Sequence, residues 1–158
     1  MDRRKFLAAG VVAAAAPVVA HAEADDDHGV VGSYFGTVTA VNPPLGQFND
    51  LISFHEGGVV TESRRYLVSP TPLGDLLETS GHGAWEKAGG RSYQAFFRFF
   101  IQDAHTGVPI GTDNVRLAVT LDKKTGALSG TFQSQIKDTA DVVLLTVTGT
   151  YSATPITV

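Results

Sequence analysis

Arg91-Ser92-Tyr93-Gln94-Ala95-Phe96-Phe97-Arg98-Phe99-Phe100-Ile101-Gln102-Asp103 is the stretch that decides the fold. Tyr93, Ala95, Phe97, Phe99 and Ile101 fall on one side of an extended chain. Ser92, Gln94, Phe96, Arg98, Phe100 and Gln102 fall on the other. A period of two with one uniformly apolar side is the pattern of a strand that turns one face to a core. The downstream segments repeat it. Val115, Leu117, Val119 and Leu121 alternate with polar residues such as Arg116 and Thr120. Leu128, Phe132 and Ile136 share a side with Gly130 and Ser134, and Val143, Leu145, Val147 and Tyr151 share another.

Between these runs lie turn clusters, among them Asn42-Pro43-Pro44, Glu56-Gly57-Gly58, Ala88-Gly89-Gly90 and Lys123-Lys124-Thr125-Gly126. Short β-prone runs separated by closely spaced turns predict an all-β fold. Eight strands are expected, over about 30–41, 47–55, 58–67, 82–88, 91–103, 108–122, 126–137 and 141–153. Residues 68–81 are the exception. Leu73, Leu76 and Leu77 have helical spacing, and a single helical turn over the barrel is expected there. Strands joined by short turns make an antiparallel meander, and eight of them can close and leave no exposed edge. The expected fold is therefore a closed eight-stranded antiparallel up-and-down barrel. Its interior is wide enough to be filled by side chains or to hold one small ligand.

The chain has 158 residues, 43% apolar and 18% charged, with no Cys. That suits one globular domain and excludes a disulfide scaffold, a thiolate metal site and a Cys nucleophile. Residues 1–22 read as a signal peptide, with Arg3, Arg4 and Lys5 at the start, an Ala- and Val-rich run, and Ala20-His21-Ala22 as the cleavage pattern. Arg3-Arg4-Lys5-Phe6-Leu7 resembles the twin-arginine signal, departing from it at Asp2 and Ala8. The resemblance implies export of a folded protein to the periplasm or beyond. Residues 23–29 form an acidic leader, and 30–158 the barrel. Cleavage removes three basic residues and one acidic one, moving the net charge from −4 to −6. An acidic domain disfavours nucleic acid, and no membrane span is expected after processing.

Gly81-His82-Gly83-Ala84-Trp85, followed by Gly89-Gly90-Arg91-Ser92-Tyr93, resembles a motif of small secreted bacterial proteins with lipocalin-like (calycin-type) barrels. Gly32-Ser33-Tyr34 stands where those chains have Gly-x-Trp. The resemblance implies the barrel and says little about activity. From the residues themselves, Gly81 and Gly83 allow close backbone approach. Trp85 shares a face with Gly83 and is expected to plug one end of the barrel. His82 points the other way, either holding the start of the strand or acting as a general base.

Two arrangements of strand 91–103 are open. With the apolar face inward, Phe96 and Phe100 form an outer patch, covered by a second copy or by the 68–81 loop, or lying half-exposed beneath Arg98. With the barrel inverted, Arg98 lines the lumen and meets an anionic ligand. No metal site or cofactor is implied: Asp103 with His105, and His55 with Glu56, read as polar turns. No two carboxylates are expected on inward faces of adjacent strands. Three functions follow. The first is a barrel binding a small apolar or aromatic molecule through Tyr34, Phe54, Trp85, Tyr93, Phe97, Phe99, Leu117, Val119, Phe132, Leu145 and Tyr151. The second is a cofactor-free cyclase or isomerase using the same lumen, with His82 as its candidate catalytic residue. The third is a filled barrel that binds a protein partner, including a homodimer through Phe96 and Phe100.

Overall fold

A computed structural model describes residues 29–65 and 67–157. Residues 1–22, expected to be a signal peptide, and residues 23–28 of the expected acidic leader lie outside the described residues. Ten strands follow one another: β1 Gly32–Asn42, β2 Gly46–His55, β3 Val59–Arg64, β4 Leu67–Thr71, β5 Gly74–Glu78, β6 Gly81–Gly89, β7 Ser92–Asp103, β8 Pro109–Leu121, β9 Leu128–Asp138 and β10 Val143–Pro155. All pairings are antiparallel. β7, β6, β3, β2, β1, β10, β9 and β8 are neighbours in that order, and β7 also pairs with β8. The ring closes, so the expected eight-stranded up-and-down barrel is present.

The two extra strands come from residues 68–81. These do not make a helical turn. β4 and β5 form a hairpin around Pro72 and Leu73, in which Leu67 faces Leu77 and Thr71 faces Gly74. The physical reason is local. Pro70 and Pro72 remove backbone donors, Gly74 takes a φ of +92°, and the Thr71 hydroxyl closes the turn onto the Gly74 carbonyl at 2.6 Å. The leucine spacing is shared between two arms of a hairpin: Leu76 is buried and Leu73 packs beside it.

β3 and β4 thus act as one broken arm, and β5 and β6 as the next. β7 pairs with β6 from Ser92 to Arg98 and with β5 from Ile101 to Asp103. The break opens the barrel at one end. β2 and β3 pair only as far as Asp50 and Arg64. Gly46–Asn49 of β2 then keep β1 alone as a neighbour, and β4 keeps β5 alone. At this end the wall is split between β2 and β4.

The inward side chains follow the alternation read from the sequence. Tyr93, Ala95, Phe97, Phe99 and Ile101 are all buried, as are Val115, Leu117, Val119 and Leu121. The motif glycines have a packing reason. A Cβ on Gly83 would collide with the Phe96 carbonyl, and one on Gly81 with the Phe99 ring. β6 can cross β7 this closely only without side chains there.

Candidate functional site

The two ends of the barrel differ. At the β2–β3 turn end, Tyr34, Phe54, Trp85 and Tyr93 form a chain of edge-to-face contacts, with successive ring centroids 5.9, 6.0 and 5.9 Å apart. The Trp85 indole donates to the His55 carbonyl at 2.9 Å, and the Tyr34 hydroxyl donates to the Val30 carbonyl at 3.1 Å. This end is plugged by aromatic packing, as expected of Trp85.

The split end carries charge. Arg64, inward at the last β2–β3 pair, donates from Nε to Glu78 at 2.6 Å and from Nη2 to Asp113 at 2.7 Å. The Ser134 hydroxyl donates to the other oxygen of Asp113 at 2.5 Å. The Arg64 guanidinium lies 4.2 Å from the centre of the Phe99 ring and 5.4 Å from that of Phe48. Burial opposes its charge, but Glu78, Glu62 and Asp113 outweigh that effect and hold it protonated. Burial also pushes the Glu78 carboxyl up, with Arg64 pulling against it. A cleft with about 50 Å³ of free space lies over this trio. Leu45, Phe48, Val68 and Leu145 wall it, with Arg64, Glu78 and Asp113 at its base.

Between the two ends lies a second polar group. Asp50 on β2 and Glu62 on β3 are both buried and hydrogen-bond through their carboxyls. The Tyr151 hydroxyl donates to Asp50 at 3.3 Å. Gly36 makes the arrangement possible, since a Cβ there would overlap both Asp50 Oδ1 and the Tyr151 hydroxyl. Burial raises Glu62 to about 8, with Asp50 and Glu78 adding to it and Arg64 opposing. Burial likewise raises Asp50 to about 6, against the lowering effects of Glu62, Arg64 and Tyr151. Two carboxyls this close in a buried site hold one proton between them near neutral pH.

These residues correct one expectation: inward carboxylates do sit on adjacent strands. The signal was in the alternation, where Phe48, Asp50, Ile52 and Phe54 share one side of β2 and Val60, Glu62 and Arg64 one side of β3. Charged residues in an inward register read as surface when judged by type alone.

Of the residues expected to contact a ligand, Tyr34, Phe54, Tyr93, Phe97, Phe99, Leu117, Val119, Phe132 and Tyr151 are buried, and Trp85 and Leu145 are half-buried against them. They pack on one another, and the space left beside Phe97, Leu117, Phe132 and Tyr151 is about 20 Å³. Leu145 and Phe132 also border the split-end cleft. Arg98 is on the outer face, donating to Asn114 Oδ1 at 2.6 Å, so the inverted arrangement is not the one adopted. The guanidinium over Phe96 belongs to Arg116, 5.6 Å from the ring centre, rather than to Arg98. His82 is exposed on the same outer face, opposite Arg98 in the pairing. Asp103 accepts from the Thr106 hydroxyl and from the backbone N–H groups of Thr106 and His105, which together lower its pKa. Among the described residues no three potential metal-ligating side chains come together, and no helix is long and apolar enough to cross a membrane.

Comparison with protein-family models, curated proteins and solved structures finds no match. The closed antiparallel barrel implied by the Gly81–Trp85 resemblance is present, while lipocalin kinship itself gains no support from these comparisons.

Proposed function

We propose that the protein binds a small apolar or aromatic molecule at the split end of its barrel, with a polar group of the guest set on the Arg64 cluster. One observation carries this reading: three buried charges, Arg64, Glu78 and Asp113, lie at the base of a cleft walled by Leu45, Phe48, Val68 and Leu145. Charges in a core cost desolvation, and apolar residues of the same volume are often as stable or more so. Apolar walls with a few convergent polar groups are the usual form of a small-molecule site. The free space of about 50 Å³ admits only a fragment. A larger guest has to part β4 from β2, across a gap without backbone pairing. Arg3-Arg4-Lys5-Phe6-Leu7 and Ala20-His21-Ala22 support the companion proposal that the chain is exported to the periplasm or secreted.

The test is an NMR titration of the protein with a panel of small hydrophobic acids, amines and alcohols. Shifts are expected at Phe48, Val68, Arg64 and Leu145, and Phe48→Ala should weaken binding about tenfold or more. Trp85 sits at the opposite end and reports poorly on this cleft. Silence across the panel, or shifts confined to the Trp85 end, would overturn the reading.

A second reading has its own observation. Phe100 is 69% exposed and Phe96 41% exposed on the outer wall, which supports a partner-binding face or a homodimer there.

A further inference from the structure

Packing accounts for Gly81 and Gly83, which let β6 cross β7 closely, but not for His82 between them. Its imidazole is exposed and makes no hydrogen bond among the described residues. The close crossing sets His82 directly opposite Arg98 in the pairing. Both stand on the outer wall, where they line an open groove of about 450 Å³ together with Thr79, Ser80 and Phe100.

Arg98 is held in place from beneath. Its Nε donates to Asn114 Oδ1 at 2.6 Å. Asn114 is 6% exposed, and its own amide is fixed by donating to Thr112 Oγ1 at 3.0 Å and to the Gln135 carbonyl at 3.4 Å. The two Nη groups of Arg98 have no acceptor among the described residues. A guanidinium anchored through Nε presents its remaining N–H pair in a fixed plane, which is the fork that takes a carboxylate bidentately.

Charge is segregated on this wall. The chain has 16 acidic residues against 12 basic ones. Yet the outward row formed by Thr61, His82, Arg98, Asn114, Gln135 and Thr146 contains no carboxylate. The next row, from Val59 to Thr148, carries Arg116 and again no carboxylate. Glu62 and Asp113 on these strands are buried on the inner side. Glu86 lies four residues along β6 from His82, about 13 Å in an extended strand. Phe100 follows Arg98 on the same face of β7 and is largely exposed.

We propose that the groove binds a small organic acid. Its carboxylate bonds end-on to the Arg98 Nη groups and to the His82 ring, and its apolar or aromatic body lies on Phe100. A neutral guest leaves the Arg98 fork unused, and an amine is repelled by it. The site is separate from the split-end cleft, which neither His82 nor Arg98 lines, and it does not depend on any guest there.

NMR titration of the isotope-labelled protein with sodium benzoate, benzylamine and benzyl alcohol at constant ionic strength tests the proposal. Benzoate at roughly 10 mM fills a site of millimolar Kd. It is expected to shift the Arg98 Nε–H and His82 ring signals and to show cross-relaxation from its ring protons to Phe100. The amine and the alcohol should leave those signals in place. Arg98→Gln, which retains an amide donor for Asn114, should weaken benzoate binding about tenfold or more, with the rest of the spectrum unchanged. Should that variant fail to fold, the wild-type cross-relaxation to Phe100 decides, and its absence refutes the site. Binding that survives Arg98→Gln in a folded protein, an equal response to benzyl alcohol, or silence at Arg98 and His82 would each overturn the proposal. Benzoate shifts confined to Phe48, Val68 and Leu145 would also overturn it while supporting the split-end reading, so the two fail separately.

Discussion

Glu62→Gln should flatten the pH dependence of stability. Burial raises the Glu62 carboxyl from its ordinary 4.5 to about 8, and Asp50 from 3.8 to about 6. Both groups hold a proton in the folded barrel at pH values where the unfolded chain has released it. Their contribution is fully present below the ordinary carboxyl range and is lost as pH rises through the folded values. Between about pH 6 and 8 the folded state retains roughly one extra proton. Stability should therefore fall by about 1.4 kcal/mol per pH unit over that window. From pH 4.5 to 8 the Glu62 shift alone amounts to roughly 3–5 kcal/mol, a large part of the stability of a typical domain. Glutamine keeps the shape and donates its amide to Asp50, but it does not titrate. The assay is urea unfolding at half-unit steps from pH 4.5 to 8.5 for both proteins. A wild-type curve that is level from pH 6 to 8, or a variant curve with the wild-type slope, would refute the reasoning.

Other perturbations follow from the same geometry. Arg64→Met strands Glu78 and Asp113 in the core and should cost about 3–5 kcal/mol; converting all three residues to apolar ones should recover most of that, as read by denaturant midpoints. Gly36→Ala drives a methyl into Asp50 and Tyr151 and should destabilise by about 1–3 kcal/mol, whereas alanine at exposed Thr131 should stay within about 0.5 kcal/mol. His82→Ala on the outer wall should change stability by less than about 0.5 kcal/mol and leave the split-end titration unaltered; loss of binding there would contradict the placement of the site. Phe100→Ser should leave the unfolding midpoint nearly unchanged, and sedimentation of this variant beside the wild type tests whether the outer patch joins two copies.

How much was legible depended on whether side-chain type and register agreed. On β7 and β8 they agree, since Tyr93 to Ile101 and Val115 to Leu121 are apolar wherever they face inward. Strand positions and the closed meander followed directly. On β2 and β3 they conflict, because Asp50, Glu62 and Arg64 occupy inward positions while charged residues favour water. Register won there: Ile52, Phe54 and Val60 are fully buried, and the pleat carries their charged neighbours in with them. In residues 68–81 the leucine spacing matched a helix, but two prolines and Gly74 allowed only a hairpin. The cleft depends on that hairpin, so the candidate site could not be placed before the β3–β4 break was known. Trp85 and His82 took the faces their spacing gave them, one inward and one outward.

Amide hydrogen exchange followed residue by residue tests the closed but split barrel most directly. Strong protection is expected along the β1–β10 and β7–β8 pairings that close the ring. Rapid exchange is expected at the amides of Gln47–Asn49 that point away from β1, and at the outward edge of β4. Rapid exchange along β1 against β10, or uniform protection across the β2–β4 gap, would contradict it.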